Sequence, residues 1–101
     1  MISVRWTDQA VGDLEAIRDY IARDSEHYAQ LVVDRLIDRI GGIPAFPEAG
    51  RVVPELSRTE LREVIMGSYR IVYRLHEDAV EILTIFRSSR LMPLQADQFD
   101  R

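Results

Sequence analysis

The chain has 101 residues, a length that suits one domain built around one modest hydrophobic core. Hydrophobic residues make up 47% of it and charged residues 30%, which is typical of a folded, soluble protein and not of a disordered one. Cysteine is absent, which excludes disulfides and thiolate metal sites, and the net charge of −4 disfavours a general nucleic-acid binder. No apolar run is long enough to cross a membrane, and the first residues lack the plan of a signal peptide. These features predict a cytoplasmic protein without a cofactor.

The first part of the chain predicts a strand followed by a helix. Residues Ile2 to Trp6 alternate between apolar and polar, as expected of a short strand. Thr7 or Asp8 is expected to cap the helix, because a short side-chain oxygen accepts a hydrogen bond from an unpaired amide of the first turn. The apolar stripe of this helix consists of Ala10, Leu14, Ile17 and Ile21.

A second helix is expected to follow directly. Asp24 and Ser25 interrupt the first stripe and offer a new cap, and a second stripe consists of Ala29, Val33, Leu36 and Ile40. We expect the pair Gly41-Gly42 to end this helix through the left-handed backbone conformation that glycine adopts easily. Two helices joined by a minimal linker predict an antiparallel helical hairpin.

The second half predicts an irregular segment and then a meander of strands. Three prolines interrupt residues 43–58, a stretch whose length often marks a functional loop. Met66 to Tyr69 is typical of a tight hairpin with glycine first in a two-residue turn. A turn at His76 to Ala79 then places Leu75 opposite Val80, so that Arg74 faces Glu81 across the strands.

This register assigns the strand side chains to two faces. The first face is almost entirely apolar and should carry the helices: Val64, Met66, Tyr69, Ile71, Tyr73, Leu75, Val80, Ile82, Thr84 and Phe86. The second face mixes apolar and charged residues: Leu61, Glu63, Ile65, Arg70, Val72, Arg74, Glu81, Leu83, Ile85 and Arg87. The predicted fold is therefore α+β, with an N-terminal strand and an α-helical hairpin on one face of a small, mainly antiparallel sheet.

Something must cover the second face, because two helices shield only one side of a sheet. Soluble monomers rarely expose an apolar patch of this kind without a partner. One alternative is another polypeptide, for which the arginines would suit an acidic segment. The other is the chain's own C-terminal tail, residues 91–101, through Leu91, Met92, Leu94 or Phe99. The sequence leaves both open.

The chain resembles the RelE/ParE toxin superfamily from Ile2 to about Arg90, in the order and spacing of three motifs. The segment from Val4 to Ala10 looks like the family's first strand and the start of its first helix. The segment from Ala45 to Arg51 resembles the proline–glycine–arginine loop of ParE-like members. The segment from Tyr69 to Arg74, followed by Val80 to Arg90, resembles the core strands and the arginine after them. The resemblance implies that residues 1–101 form a single toxin domain.

The resemblance implies two alternative activities. RelE-like members cut messenger RNA on the ribosome, whereas ParE-like members inhibit DNA gyrase. In both groups a cognate antitoxin wraps and neutralises the toxin, and the complex often represses the shared operon through the antitoxin's contact with operator DNA. A degenerate member would be a third possibility, an interaction module without toxicity.

The residues that RelE-like members use for RNA cleavage are only partly present. Arg70 matches the arginine of the tyrosine–arginine strand motif, and Arg90 matches the arginine after the last strand. Positions 61 and 63, which carry lysines in RelE-like members, hold Leu61 and Glu63, and the tyrosine position falls on Ala96. Cleavage needs a base and an acid as well as cations, and arginine is a poor base. Arg70 and Arg90 are also open to a structural interpretation, as partners of Glu63, Glu81 or C-terminal acids.

These matches favour the ParE-like branch, a binding inhibitor of gyrase and not an enzyme. The predicted surface for the antitoxin or the target consists of Leu61, Ile65, Arg70, Val72, Arg74, Leu83, Ile85, Arg87 and Arg90. The two histidines, His27 and His76, are expected to be ordinary surface residues. The carboxylates Asp34 and Asp38 have no histidine neighbours in the sequence, and we expect no metal site there.

Overall fold

The computed structural model describes residues 2–99 and confirms the α+β architecture: two helices lie on a five-stranded sheet. The elements are β1 (Ser3–Trp6), α1 (Asp8–Ala22), α2 (Glu26–Gly41), β2 (Arg51–Val52), β3 (Leu61–Met66), β4 (Tyr69–Leu75) and β5 (Ala79–Arg87). The order in the sheet is β1-β5-β4-β3-β2, and every pairing is antiparallel except that of β1 with β5. None of the described helices is long and apolar enough to cross a membrane.

The helical hairpin begins and turns at the predicted caps. The Thr7 side chain accepts a hydrogen bond from the amide of Ala10, and Ser25 accepts one from Tyr28. Helix α2 ends at the predicted glycines, but not for the predicted reason. Gly42 has a φ of −84°, so the left-handed conformation is not used. The chain continues into a 3₁₀ turn in which Pro44 has no amide to continue the helix.

The β3–β4–β5 meander has the predicted turns. Met66 pairs with Tyr69 across a two-residue turn in which Gly67 has a φ of 59°, a conformation that glycine adopts without strain. Leu75 lies opposite Val80 and Arg74 opposite Glu81, as predicted. The loop before the meander is mostly irregular, but β2 adds a short pairing with β3 that the sequence did not predict.

A bulge in β5 overturns part of the predicted face assignment. Val72 pairs with Thr84 and Tyr73 with Ile82, so Leu83 is an extra residue in the ladder. Because side chains alternate along a strand, one extra residue exchanges the faces beyond it. Ile85 therefore packs into the helix-facing core, and Phe86 joins the apolar cluster on the second face, the reverse of the prediction.

Candidate functional site

The second face of the sheet is covered by the chain itself. Its apolar residues Leu61, Val72, Leu83 and Phe86 form a cluster with Val53 and Leu56 from the loop and with Leu94 and Phe99 from the tail. Leu61 and Val72 are 0% exposed. These apolar side chains therefore need no second polypeptide to cover them, since two segments of the same chain remove them from water. The C-terminal tail covers this face, as one of the two alternatives predicted. The loop before β3 also covers it, which the sequence did not indicate.

The predicted binding residues separate into a buried set and an accessible set. Leu61, Arg70, Val72, Leu83 and Ile85 are buried. Ile65 is 47% exposed, Arg74 is half-buried, and Arg87 and Arg90 are exposed. Of the predicted binding residues, therefore, only Ile65, Arg74, Arg87 and Arg90 are accessible to another molecule.

Arg70 is held in a closely paired site between β4, β3 and the loop. Its Nε donates to Glu63 Oε1 at 2.7 Å, and its two terminal nitrogens donate to the Glu55 carboxylate at 2.7 and 2.8 Å. The guanidinium lies 5.0 Å from the ring centre of Phe86. The hydrogen bonds with Glu55 raise the pKa of Arg70, with a further contribution from Glu63. The predicted structural partner Glu63 is thus confirmed for Arg70, and Glu55 is an additional partner.

Glu63 joins this site to the start of β2. Its side chain is 0% exposed, and its second carboxylate oxygen accepts a hydrogen bond from Arg51. The four residues Arg51, Glu55, Glu63 and Arg70, called the loop network here, carry two positive and two negative charges and connect the loop to β3 and β4. Because a buried charge is tolerated only when it is paired, the network fixes the loop over the sheet.

The loop network leaves Arg70 unsuited to bind a phosphate. Its donors are engaged with two carboxylates, whose negative charge would repel a phosphodiester. Arg90 lies elsewhere, on the exposed turn after β5 and beside α1. The described contacts therefore place the two arginines of the RNA-cleavage motif in different surroundings.

Arg74 and His76 have partners that the sequence did not predict. The Arg74 guanidinium lies 5.7 Å from the ring centre of Phe99, so it helps to hold the tail. His76 Nε2 lies 2.8 Å from Glu81 Oε1, and its side chain is half-buried, whereas the sequence predicted a surface residue. His27 is exposed on α2, as expected.

A groove of about 470 Å³ lies between α1 and the far ends of β4 and β5. Tyr69, Ile85 and Phe86 are its buried lining residues. Its exposed lining residues include Tyr20, Arg23, Arg87 and Arg90. The sequence does not predict this groove, because its two walls are about 60 residues apart in the chain and no local pattern links them.

We expect the loop network to make stability sensitive to acid. Hydrogen bonds from Arg70 lower the pKa of the Glu55 carboxyl from 4.5 to about 2, against a smaller opposing effect of burial. The resulting stabilisation is complete above the unfolded value of 4.5 and disappears as the pH falls towards about 2. Because Glu55 is partly exposed, we expect the contribution to be about 1 kcal/mol.

Chemical denaturation at several pH values between 7 and about 2 measures this contribution. The free energy of unfolding of Glu55→Gln should start lower at neutral pH and fall less on acidification than that of the unaltered protein. Glu77→Gln, at an exposed position, is the matched control and should follow the unaltered curve. Parallel curves for the unaltered protein and Glu55→Gln would contradict the assignment.

Comparisons with known proteins agree with the observed fold. The family model for the ParE toxin of type II toxin–antitoxin systems matches residues 4–92. Toxin RelE2 of Caulobacter vibrioides is 38% identical over 90% of this chain and all of its own length. A putative toxin of Sinorhizobium fredii, Y4kP, is 33% identical over 89% of this chain and 92% of its own.

Solved structures of similar fold include two from toxin–antitoxin systems. A chain of the chromosomal ParDE toxin–antitoxin system of P. aeruginosa superposes with a TM-score of 0.73 at 23% identity, covering 86% of this chain and 96% of that one. A chain of the RelBE2 toxin–antitoxin complex of Mycobacterium tuberculosis has a TM-score of 0.54 at 20% identity and covers 85% and 96% respectively. The family model and the two relatives together show that this chain belongs to the ParE toxin family of type II toxin–antitoxin systems.

Proposed function

We propose that this toxin inhibits bacterial growth by binding DNA gyrase and that it is not a ribonuclease. The observation that carries the proposal is the pairing of Arg70 with two carboxylates, Glu55 and Glu63. An RNA-cleaving site needs accessible cations to stabilise the charge that develops on the phosphate. Arg70 is 8% exposed and hydrogen-bonded to two carboxylates, so Arg90 would have to act without it.

Two described side chains that could transfer protons, Glu63 and His76, are engaged in other contacts. A cleavage site requires a base for the 2′-hydroxyl and an acid for the leaving oxygen. Glu63 is buried between two arginines, and His76 is hydrogen-bonded to Glu81. The net charge of −4 also opposes attraction to the ribosome. A binding inhibitor needs none of these groups.

The proposal includes a cognate antitoxin as a second partner, because the two similar solved structures described above come from toxin–antitoxin systems. Ile65, Arg74, Arg87 and Arg90 are the predicted contact residues that remain accessible. The toxin–antitoxin complex would act in the cytoplasm and reach operator DNA through the antitoxin.

Supercoiling of relaxed plasmid by purified gyrase tests the proposed target. We expect the supercoiled product to decrease as the toxin concentration increases, with heat-unfolded toxin as the control. A parallel assay on ribosome-bound messenger RNA should give no cleavage. Intact gyrase activity together with cleavage that is lost in Arg70→Ala combined with Arg90→Ala would establish the RelE-like alternative instead.

The third possibility, a toxin without activity, predicts a different result. Expression of the gene without an antitoxin should stop growth if either activity is present. Normal growth, with soluble and folded protein in the cells, would favour a pure interaction module.

A further inference from the structure

Side chains at the beginning of α1 supply hydrogen bonds to β5 where its neighbouring strand β1 ends. Strand β1 pairs with β5 only as far as Ile82, and no strand within residues 2–99 lies beside the outer edge of β5 beyond that point. The hydroxyl of Thr7 donates to the carbonyl of Ile82 at 2.7 Å, and Asp13 Oδ2 accepts a hydrogen bond from the amide of Ile85 at 3.1 Å. These side chains thus take the place of a strand along this edge.

Asp13 binds β5 directly beside its bulge. The same oxygen, Oδ2, also accepts a hydrogen bond from the Thr84 hydroxyl at 2.5 Å. Thr84 and Ile85 follow the extra residue Leu83, and they are 0% and 2% exposed. A buried donor without an acceptor is unfavourable, and a carboxylate is a stronger acceptor than a neutral group. The carboxylate of Asp13 therefore stabilises the conformation that the chain adopts immediately after the bulge.

The alternative register of β5 is the uninterrupted one that its sequence pattern predicts. In the observed register Ile85 lies opposite Ile71. Without the bulge, alternation along β5 would place Thr84 opposite Ile71 instead. The strand would shift by one residue, about 3.3–3.4 Å, and the amide of Ile85 would turn from α1 towards β4. Of these two registers, only the bulged one presents this amide to Asp13.

The bulge determines where two accessible arginines lie. In the observed register Arg87 is opposite Tyr69, and its guanidinium lies 5.8 Å from the centre of that ring. The amide of Arg90 donates to the carbonyl of Arg87 at 2.9 Å, so the turn that carries Arg90 is attached to the end of β5. A shift by one residue would move Arg87 to the opposite face of the sheet and away from Tyr69. The positions of both arginines therefore depend on the register that Asp13 stabilises.

We propose that Asp13 is a positioning residue that holds β5 in the bulged register. Through this register it places Arg87 and Arg90 for contact with gyrase, a part of the inference that rests on the proposed function. Asp13 acts here through its acceptor oxygen and not through its negative charge. Both hydrogen bonds end on Oδ2, and the amide oxygen of an asparagine can replace that atom.

NMR spectroscopy of the folded toxin reports the register directly. In Asp13→Leu, the nuclear Overhauser contact between Ile71 and Ile85 should give way to one between Ile71 and Thr84, and the Ile85 amide should exchange with solvent at least about tenfold faster. Asp13→Asn should keep the first contact and change the exchange rate less than about twofold. Asp38→Leu makes the same substitution at an exposed position on α2 and should leave both readings unchanged.

Deletion of Thr84 separates positioning from general stability. Leu83 and Thr84 share the position opposite Val72, so the deletion lets β5 alternate without a bulge while the residues after it keep their partners. In the unaltered background, Asp13→Leu should raise the toxin concentration for half-inhibition of gyrase supercoiling about tenfold, and Asp13→Asn less than about twofold. In the deletion background, Asp13→Leu should change it less than about twofold, because no bulge remains to be held.

The inference is overturned if the contact between Ile71 and Ile85 survives in Asp13→Leu, or if Asp13→Leu weakens inhibition equally in both backgrounds. Should Asp13→Leu fail to fold, the deletion of Thr84 decides: a folded double variant supports the inference, and an unfolded one contradicts it. The register measurement does not involve gyrase. A register change in a toxin that leaves gyrase active would refute only the target, whereas inhibited gyrase with an unchanged register would refute only the role of Asp13.

Discussion

Glu63→Gln is expected to lower the free energy of unfolding by about 3 kcal/mol, a large part of the stability of a domain this small. The Glu63 side chain is 0% exposed and pairs with both Arg51 and Arg70. A neutral amide cannot balance the guanidinium of Arg70, whose own side chain is only 10% exposed. The remaining carboxylate, Glu55, is 41% exposed and already uses both of its oxygens. After the substitution, the buried guanidinium of Arg70 keeps only one of its two carboxylate partners, Glu55.

Urea denaturation measures this loss as a lower midpoint with an unchanged slope. Glu77→Gln makes the same chemical change at an exposed turn position and should alter stability by less than about 0.5 kcal/mol. Combining Glu63→Leu with Arg70→Met removes both charges, and it should cost less than the sum of the two single substitutions. A Glu63→Gln protein within about 1 kcal/mol of the unaltered one would show that the loop network does not stabilise the fold.

The sequence predicted the parts of the fold that depend on neighbouring residues. The caps at Thr7 and Ser25 and the turn at Gly67 are each determined within four positions of the chain. The register that places Arg74 opposite Glu81 follows from a short turn in the same way. The parallel pairing of β1 with β5 joins residues more than 70 positions apart, and nothing local indicated it.

The face assignment failed because of one residue. Uninterrupted alternation along β5 predicts Ile85 on the second face and Phe86 on the first, and the extra residue Leu83 exchanges these positions. A bulge depends on how the neighbouring strand pairs, which a single strand's sequence does not reveal. The groove, to which Ile85 and Phe86 contribute a wall, could not be predicted for the same reason.

The predicted site residues show the limit of inference from residue type. Arg70 was identified both as a remaining cation of an RNA-cleavage site and as a structural partner of Glu63. The sequence does not indicate that Glu55, which lies in the loop, accepts hydrogen bonds from both terminal nitrogens of Arg70. The loop and the tail were uncertain because Val53 and Phe99 gain their burial from residues far away in the chain.

Gly50→Ala is expected to lower the free energy of unfolding by about 3 kcal/mol, the upper part of the range for an overpacked site. A Cβ at this position would collide with the hydroxyl of Tyr73 and lie 2.8 Å from the backbone oxygen of Glu63. Tyr73 is 0% exposed, and its hydroxyl donates to the carbonyl of Pro47 at 2.6 Å. The ring therefore cannot move aside without breaking the contact that holds the loop, and the loop has to shift.

The chain provides a control and a partial rescue for this substitution. A Cβ at Gly12, inside α1, would have nothing within 4 Å, so Gly12→Ala should stabilise the protein by about 0.5–1 kcal/mol. Tyr73→Phe removes the hydroxyl, so Gly50→Ala should cost less in that background than in the unaltered protein, although the clash with Glu63 remains. Thermal or urea unfolding of the four proteins of this cycle measures the coupling. An equal cost of Gly50→Ala in both backgrounds would show that the close approach to the tyrosine hydroxyl is not what requires glycine at this position.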